Sequence, residues 1–333
     1  MAELDFGRAL AYLRGERTVA VCGHVNPDGD SVGSVLALTL VLRKLGMQAT
    51  PLLATRECPP TYDFLPGYGD LTPACDYDET PDVFISVDVP NVKRTVDGAR
   101  VFERAHKRIA IDHHQGEADF ADMSFVDADA AAAGMLIWDF ACQAGIEDDA
   151  DIATCCYTAL VTDTGRFQFQ NADAAAFEHA AAMVHAGADP GAIARAVYQR
   201  SSMAALQLRS RALKRMQLVC GGRAVLSYVR ESDFASLDAK PDDAESLVDS
   251  IRELGGVDVV VMLREQGPII RGSLRAKGDF DVSVVAAEFG GGGHAAASGF
   301  TIRDGFEAAR VAVIEELAAA LDEAGIPKRI TTR

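Results

Sequence analysis

The sequence has no C-x-x-C pair, a single tryptophan and no excess of basic charge. Its seven cysteines, Cys22, Cys58, Cys75, Cys142, Cys155, Cys156 and Cys220, are odd in number and scattered. A disulfide framework or a thiolate zinc site is therefore not expected, and a reducing cytoplasm is. The N-terminus lacks the apolar core of a secretory signal. The longest clean apolar stretch, around Val35–Leu42, is too short to span a bilayer, so no membrane partner is expected. With 32 basic against 49 acidic side chains, net charge -17, the surface is not built to grip long duplex DNA by neutralising phosphates. The charge is also uneven. Residues 1–195 hold 14 basic and 30 acidic side chains, and residues 196–333 hold 18 and 19.

What is present is an ordinary globular composition, 49% hydrophobic and 24% charged, over 333 residues. At roughly 100–200 residues per domain that suggests about two domains. Short apolar runs at Thr18–Cys22, Gln48–Leu53, Val83–Val89 and Arg108–Ile111 read as buried strands. Helical patterns follow them at Ser31–Leu45, Ala131–Ala144, Ile152–Val161 and Asn171–Gly187. Strands alternating with helices predict an α/β fold, a parallel sheet with helices on both faces. Residues 1–190 form this first domain, 191–218 a helical linker, and 219–333 a smaller α/β domain. The latter has strands at Ala224–Val229, Val257–Leu263 and Ile269–Leu274, and helices at Ala244–Leu254 and Val311–Leu321.

The chemistry-bearing residues follow the predicted elements. After the first strand comes His24-Val-Asn-Pro-Asp28-Gly-Asp30-Ser31. After the third comes Asp88, after the fourth Asp112-His113-His114, and after the helix at 152–161 comes Asp163. Singly, each has an ordinary role: a turn at Asp28–Asp30, an N-cap at Asp30 or Ser31, a loop acid at Asp88. Together they bring only carboxylates and imidazoles to one sheet edge, where ligands of open α/β sheets bind. Several carboxylates ionised together need a cation. Imidazole and carboxylate without thiolate suit Mn²⁺ or a similar divalent ion, with Mg²⁺ and Co²⁺ as the other candidates. Around six ligands exceed what one ion needs. Two ions sharing a carboxylate would use them all, and such pairs activate water against phosphoesters.

These segments, in this order and spacing, resemble the four motifs of the DHH phosphoesterases. The glycine run Gly290–Gly293 with His294 resembles the signature of the DHH-associated C-terminal domain. The resemblance spans about Asp5 to Ala320 and is nearest the subgroup of bifunctional oligoribonucleases and 3′-phosphoadenosine-5′-phosphate phosphatases. It implies that His24 and Asp28 hold one ion, that Asp30, His113 and Asp163 hold the second, and that Asp88 bridges them. It leaves His114 to face the scissile phosphate, with Asp112 orienting an imidazole. Arg94, Arg264, Ser273, Arg275, Gly291, Gly292, Gly293 and His294 match positions that contact substrate. The glycines would offer backbone N–H groups to an anion, and the arginines their forks to phosphate. The implied partner is a short RNA or a nucleotide, and homodimers are common in such families. The nearest rival is a cyclic-dinucleotide phosphodiesterase. A catalytically silent nucleotide sensor is the non-enzyme alternative, and loss of a metal ligand would be its mark. One departure stands out. Where the family often has Ser/Thr then Glu opening the helix after the Asp-His-His motif, this chain has Ala130–Ala133 and Gly134, so a helix cap or a substrate contact is expected to be missing.

Overall fold

The computed structural model describes residues 4–114, 116, 119–244 and 246–328, and of His294 the backbone alone. The chain divides into two compact units, residues 1–200 and 201–333.

In the first unit the elements run α1 (Gly7–Tyr12), β1 (Thr18–Cys22), α2 (Gly29–Lys44), β2 (Gln48–Leu53), β3 (Thr72–Pro73), β4 (Val83–Val87), α3 (Gly98–Arg104), β5 (Lys107–Asp112), β6 (Met123–Val126), α4 (Ala133–Gln143), α5 (Ala150–Asp163), α6 (Ala174–His185) and α7 (Pro190–Tyr198). The six strands pair in parallel in the order β3-β2-β1-β4-β5-β6. Alternation along each strand divides its side chains between two cores. Val19, Val21, Val83, Ile85 and Val87 join α1, α2, α4, α5 and α6 on one face. Ala20, Cys22 and Phe84 join Val101 of α3 on the other. Each fully buried Val or Ile contributes about 1.5–3 kcal/mol, so buried strands of this kind hold the sheet edge in place. Glycines let the helices approach closely. A Cβ on Gly33 would lie 2.5 Å from Cys155 O, and one on Gly134 2.4 Å from Ala159 Cβ.

The second unit contains α8 (Met203–Lys214), β7 (Gln217–Val219), β8 (Ala224–Val229), α9 (Glu231–Leu237), α10 (Leu247–Arg252), β9 (Val259–Gln266), β10 (Ile269–Ala276), α11 (Ser283–Glu288), β11 (Gly292–His294), β12 (Ala297–Ile302) and α12 (Phe306–Glu323). Its sheet runs β11-β12-β10-β9-β8-β7, with only β8 and β9 parallel. One face is sealed by α11 and α12. The other face is covered by α8 and α10 over β8 and β9. Arg223 is 1% exposed and ties the end of α12 to the start of β8. Its guanidinium donates to Cys220 O, Ile326 O and Asp322 Oδ1.

Residues 191–218, expected as a separate linker, are divided between the units. Helix α7 belongs to the first, where Ile193 is in the core. Helix α8 buries Leu208 and Ala212 against β8 and α10, making it a layer of the second unit. The surface charge of α8 hid this narrow apolar stripe. Among the described residues, no helix is long and apolar enough to cross a membrane.

Candidate metal centre

Strands β1 and β4 are neighbours, yet β1 leads on to β2 at one side and β4 to β5 at the other. The crevice beyond their carboxyl ends is where such a sheet accepts a ligand. His24 follows β1, Asp88 follows β4, and His113 and His114 follow β5. Gly23 makes the first placement possible: a Cβ there would lie 2.2 Å from Ser31 Oγ, which accepts the His24 N–H at 3.2 Å. Asp88 adopts φ +60°, a left-handed conformation that aspartate tolerates better than most residues. Its N–H donates to Ile111 O at 3.0 Å, carrying the β4–β5 pairing one residue further.

Two sets of side chains meet at Asp88. His24 Nε2 lies 3.3 Å from Asp88 Oδ2 and 3.7 Å from Asp28 Oδ1. His113 Nε2 lies 3.4 Å from Asp88 Oδ1, 3.4 Å from Asp30 Oδ2 and 3.9 Å from Asp163 Oδ2. Three overlapping groups are each compact enough for their donor atoms to hold an ion: His24, Asp28 and Asp88; Asp30, His113 and Asp163; and Asp88, His113 and His114. His24 Nδ1 is 2.8 Å from Val25 O, and His113 Nδ1 is 3.1 Å from Ala130 O. A carbonyl only accepts, so each Nδ1 carries a proton and each Nε2 turns its other side to the carboxylates. That is how metal-ligating imidazoles are oriented. The donor set, imidazole and carboxylate without thiolate, fits divalent metal ions.

The electrostatics point the same way. Burial would lower both imidazole pKa values, but Asp28 and Asp88 raise His24 to about 10. For His113 the same opposition between burial and the Asp88 and Asp30 carboxylates ends at about 10. Burial works against ionisation of Asp88, and hydrogen bonds from His113 and His24 overcome it, holding the carboxyl below its ordinary range. Asp30 goes the other way, raised by burial and then by the Asp88 charge. Asp163, pushed mainly by burial and also by Asp28 and Asp88, rises to about 6. The cluster thus pulls positive charge into itself.

Asp30 has a second occupation. Its carboxylate accepts from Ala133 N at 2.7 Å, Gly134 N at 2.9 Å and Ser34 Oγ at 2.9 Å. It caps α4 from another helix, so the cap expected to be missing at Ala130–Gly134 is supplied across the fold. The cap of α2 is Asp28, whose Oδ1 accepts from Ser31 N, and is neither Asp30 nor Ser31. Asp112 Oδ1 accepts from His113 N and lies 2.8 Å from His114 Nδ1, while His114 Nδ1 is 3.5 Å from Asp88 Oδ1. Arg94 is exposed, and its carbonyl accepts from Val25 N, beside His24.

Residues 18–160 match the DHH family, N-terminal domain, and residues 221–324 match the DHHA1 domain. The chain carries a DHH-family N-terminal domain and a DHHA1 domain. It is similar to the bifunctional oligoribonuclease and PAP phosphatase NrnA of Thermus thermophilus, 28% identical over 91% of each chain. The protein of the same name in Bacillus subtilis is 25% identical, over 88% of this chain and 92% of that one. Among solved structures, an exopolyphosphatase-related protein from Bacteroides fragilis superposes with a TM-score of 0.89 at 25% identity, covering 96% of this chain and 95% of that one. The DHH-family segment contains every residue of the cluster except Asp163, three residues past its end.

The DHHA1 segment holds the remaining expected residues. Ser273 and Arg275 alternate on one face of β10, and Arg264 of β9 lies on the same face. Arg275 Nε is 3.6 Å from Asp249 Oδ1, and its Nη1 donates to Leu274 O. Arg271, not singled out from the sequence, is exposed on that face directly opposite Arg264. Its period-two spacing with Ser273 and Arg275 was the available signal. The glycine run needs a correction. Gly291 was expected to offer its N–H to an anion, but that N–H donates to Ala286 O. A Cβ on Gly291 or Gly293 would strike β12, at 2.2 Å from Gly299 O or 2.5 Å from Ala297 O. Those two are glycine for strand packing, and Gly292 faces open space. The His294 side chain lies outside the described residues.

Proposed function

We propose that this protein is a two-metal phosphoesterase. Its substrates are short oligoribonucleotides and linear dinucleotides, cut to mononucleotides, and 3′-phosphoadenosine 5′-phosphate, converted to AMP. One observation carries the reading: Asp88 belongs to both carboxylate–imidazole sets, at 3.3 Å from His24 and 3.4 Å from His113. The names of the similar proteins, oligoribonuclease and PAP phosphatase, support the substrate class.

In this reading His24, Asp28 and Asp88 hold one ion, and Asp88, Asp30, His113 and Asp163 hold the other. When bound, the pair supplies an activated water and offsets charge on the phosphoryl oxygens, with Mn²⁺ the best match to the donors. Asp88 fixes the separation of the two half-sites through both carboxylate oxygens. Asp112 accepts from His114 Nδ1 and orients the ring, and His114 binds the scissile phosphate or protonates the leaving oxygen. Arg94 adds positive charge at the same edge. In the second unit Arg264, Ser273, Arg275, the backbone at Gly292 and His294 bind the phosphate at the substrate's end. The low basic content disfavours long chains.

The test is a substrate panel with Mn²⁺: di- to pentaribonucleotides, linear and cyclic dinucleotides, and 3′-phosphoadenosine 5′-phosphate. Release of mononucleotide from the short RNAs is expected. Turnover of cyclic dinucleotides alone, or binding without turnover of any of them, would overturn the reading.

A further inference from the structure

Between Asp88 and α3 the chain bends through a residue that resists the bend. Val96 has φ +46° and ψ −104°, a conformation that a β-branched residue almost never adopts. Its side chain is 43% exposed, so burial of the valine does not offset the strain. Neighbouring contacts impose it. Residues 92–95 form a tight turn, in which Arg94 N donates to Asn91 O at 3.1 Å and Val96 N to Lys93 O at 3.3 Å. Thr95 is fully buried, and its Oγ1 donates to Val92 O at 2.7 Å. On the far side, Asp97 N donates at 3.2 Å to Ala54 O, just past the end of β2. Gly98 packs so closely on β1 that a Cβ there would lie 2.9 Å from Cys22 Sγ.

The turn holds the main chain beside a member of the carboxylate–imidazole cluster. The Arg94 carbonyl accepts from Val25 N at 2.8 Å. Val25 O in turn accepts from His24 Nδ1 at 2.8 Å, and His24 Nε2 lies 3.3 Å from Asp88 Oδ2. The result is a closed circuit. It runs six residues along the chain from Asp88 to Arg94, crosses one hydrogen bond to Val25 and a second to the His24 ring, and returns to Asp88. Asn26, on the way to Asp28, also has a positive φ of +54°, but asparagine tolerates it, so the strain is concentrated at Val96. Such strain persists where the surroundings over-determine it, and it collects at ligand clamps. His113 takes its orientation from another segment, through Ala130 O.

We infer that the turn at 92–96 is a brace that sets His24 against Asp88, and that Val96 is a positioning residue for the half-site of His24, Asp28 and Asp88. The inference rests on the proposed two-metal reading and adds an asymmetry to it. Losing a partner that orients a ligating imidazole typically weakens metal binding 10–100-fold. That loss falls on one ion and spares the other, because the His113 ring is aimed independently of the turn.

The test compares wild type, Val96→Pro, Val96→Gly and Thr95→Val by hydrogen exchange at the Val25 amide in chelator and by titration calorimetry with Mn²⁺. Proline cannot take a positive φ and lacks the N–H that meets Lys93 O. Val96→Pro should abolish protection of the Val25 amide and weaken one ion roughly 10–100-fold, leaving the other within about threefold of wild type. Glycine takes the bend without strain, so Val96→Gly should keep Val25 protection and both ions, with thermal stability equal or higher. Thr95→Val deletes the hydrogen bond to Val92 O and should shift Val25 exchange and the same ion in the same direction, by less. It decides the matter if the proline variant does not fold. Unchanged Val25 protection in the folded proline variant, or in Thr95→Val where proline is not tolerated, overturns the brace, and so does equal weakening of both ions. If wild type does not bind two ions, the functional reading fails, and exchange at Val25 still decides the brace.

Discussion

Residues 1–195 carry more than twice as many acidic as basic side chains, 30 against 14, while residues 196–333 are balanced at 19 against 18. The two parts also differ in how they treat charge taken out of water. In the second unit, buried charge is matched within the fold. Asp233 is received by Arg211, Arg215 and the backbone of Arg230, and Arg223 by two carbonyls and Asp322. In the first, Asp30, Asp88 and Asp163 converge on two imidazoles, and the carboxylates outnumber the positive partners. Matched buried charge specifies structure, whereas unmatched buried charge calls for something from outside. On one sheet face of the second unit, Arg271 is set directly against Arg264. Like charges opposed across strands are unfavourable until an anion joins them.

The largest expected effect breaks the cluster at its shared point. Asparagine tolerates φ +60° as aspartate does, so Asp88→Asn removes charge without disturbing the backbone. Changes around metal ligands typically cost 10–100-fold, and a ligand shared by two ions should cost more than roughly 100-fold in kcat. Titration calorimetry with Mn²⁺ should show fewer than two ions bound. Near-normal turnover with two ions would refute the shared-carboxylate geometry.

Next comes a difference in pH response. In chelator, His24 and His113, each at about 10, stabilise the fold fully below the unfolded histidine value near 6.5. That contribution is lost as pH rises from there through about 10. Asp163, raised to about 6, adds a loss between its unfolded value near 4 and about 6. The metal-free protein should therefore weaken as pH climbs, and Mn²⁺ should reverse the trend, because ion binding improves as the imidazoles deprotonate. In the second unit the sign is opposite. Burial opposes ionisation of Asp233, but Arg215 and the Arg230 N–H lower it to about 2. Its contribution is present above about 4 and disappears as pH falls through about 2. Urea unfolding across pH, with and without chelator, measures both, and a metal-free protein that strengthens from pH 6.5 to 9 would contradict the first.

A smaller effect separates the two jobs of Asp30. In chelator, Asp30→Ala should cost about 1–2 kcal/mol through the lost cap of α4, whereas Asp163→Ala should cost less or stabilise. Equal losses in urea unfolding would mean that the cap contributes nothing. Smaller again, Arg275→Ala should raise the KM for diadenylate roughly tenfold with kcat little changed, as the loss of one charged phosphate contact would.

Much of this architecture was legible because buried parallel strands write themselves as apolar runs. Thr18–Cys22, Gln48–Leu53 and Ala224–Val229 begin and end in the structure where the apolar pattern does. The edge strand β6 was not legible, since Phe125 is its one fully buried residue. Helices α3, α9 and α11, of seven, seven and six residues, are too short to establish a period. Strand β12 is interrupted by Ser298 and Gly299, which read as a loop. At the site, every member of the cluster is a charged or imidazole side chain that could be named in advance. What could not be named were the backbone partners, Ala130 O, Val25 O, Ala133 N and Gly134 N, because alanine and glycine carry no chemical label for the work of their main chains.

The cap that Asp30 places on α4 has a consequence for how the protein is made. One of the two half-sites cannot assemble until α4, a hundred residues downstream, has docked against the first turn of α2. Asp163 must then arrive at the end of α5. A nascent or damaged chain with these helices out of place therefore lacks the complete carboxylate–imidazole cluster. The cluster is thus completed only in the finished domain, by a carboxylate that is both part of the frame and part of the lock.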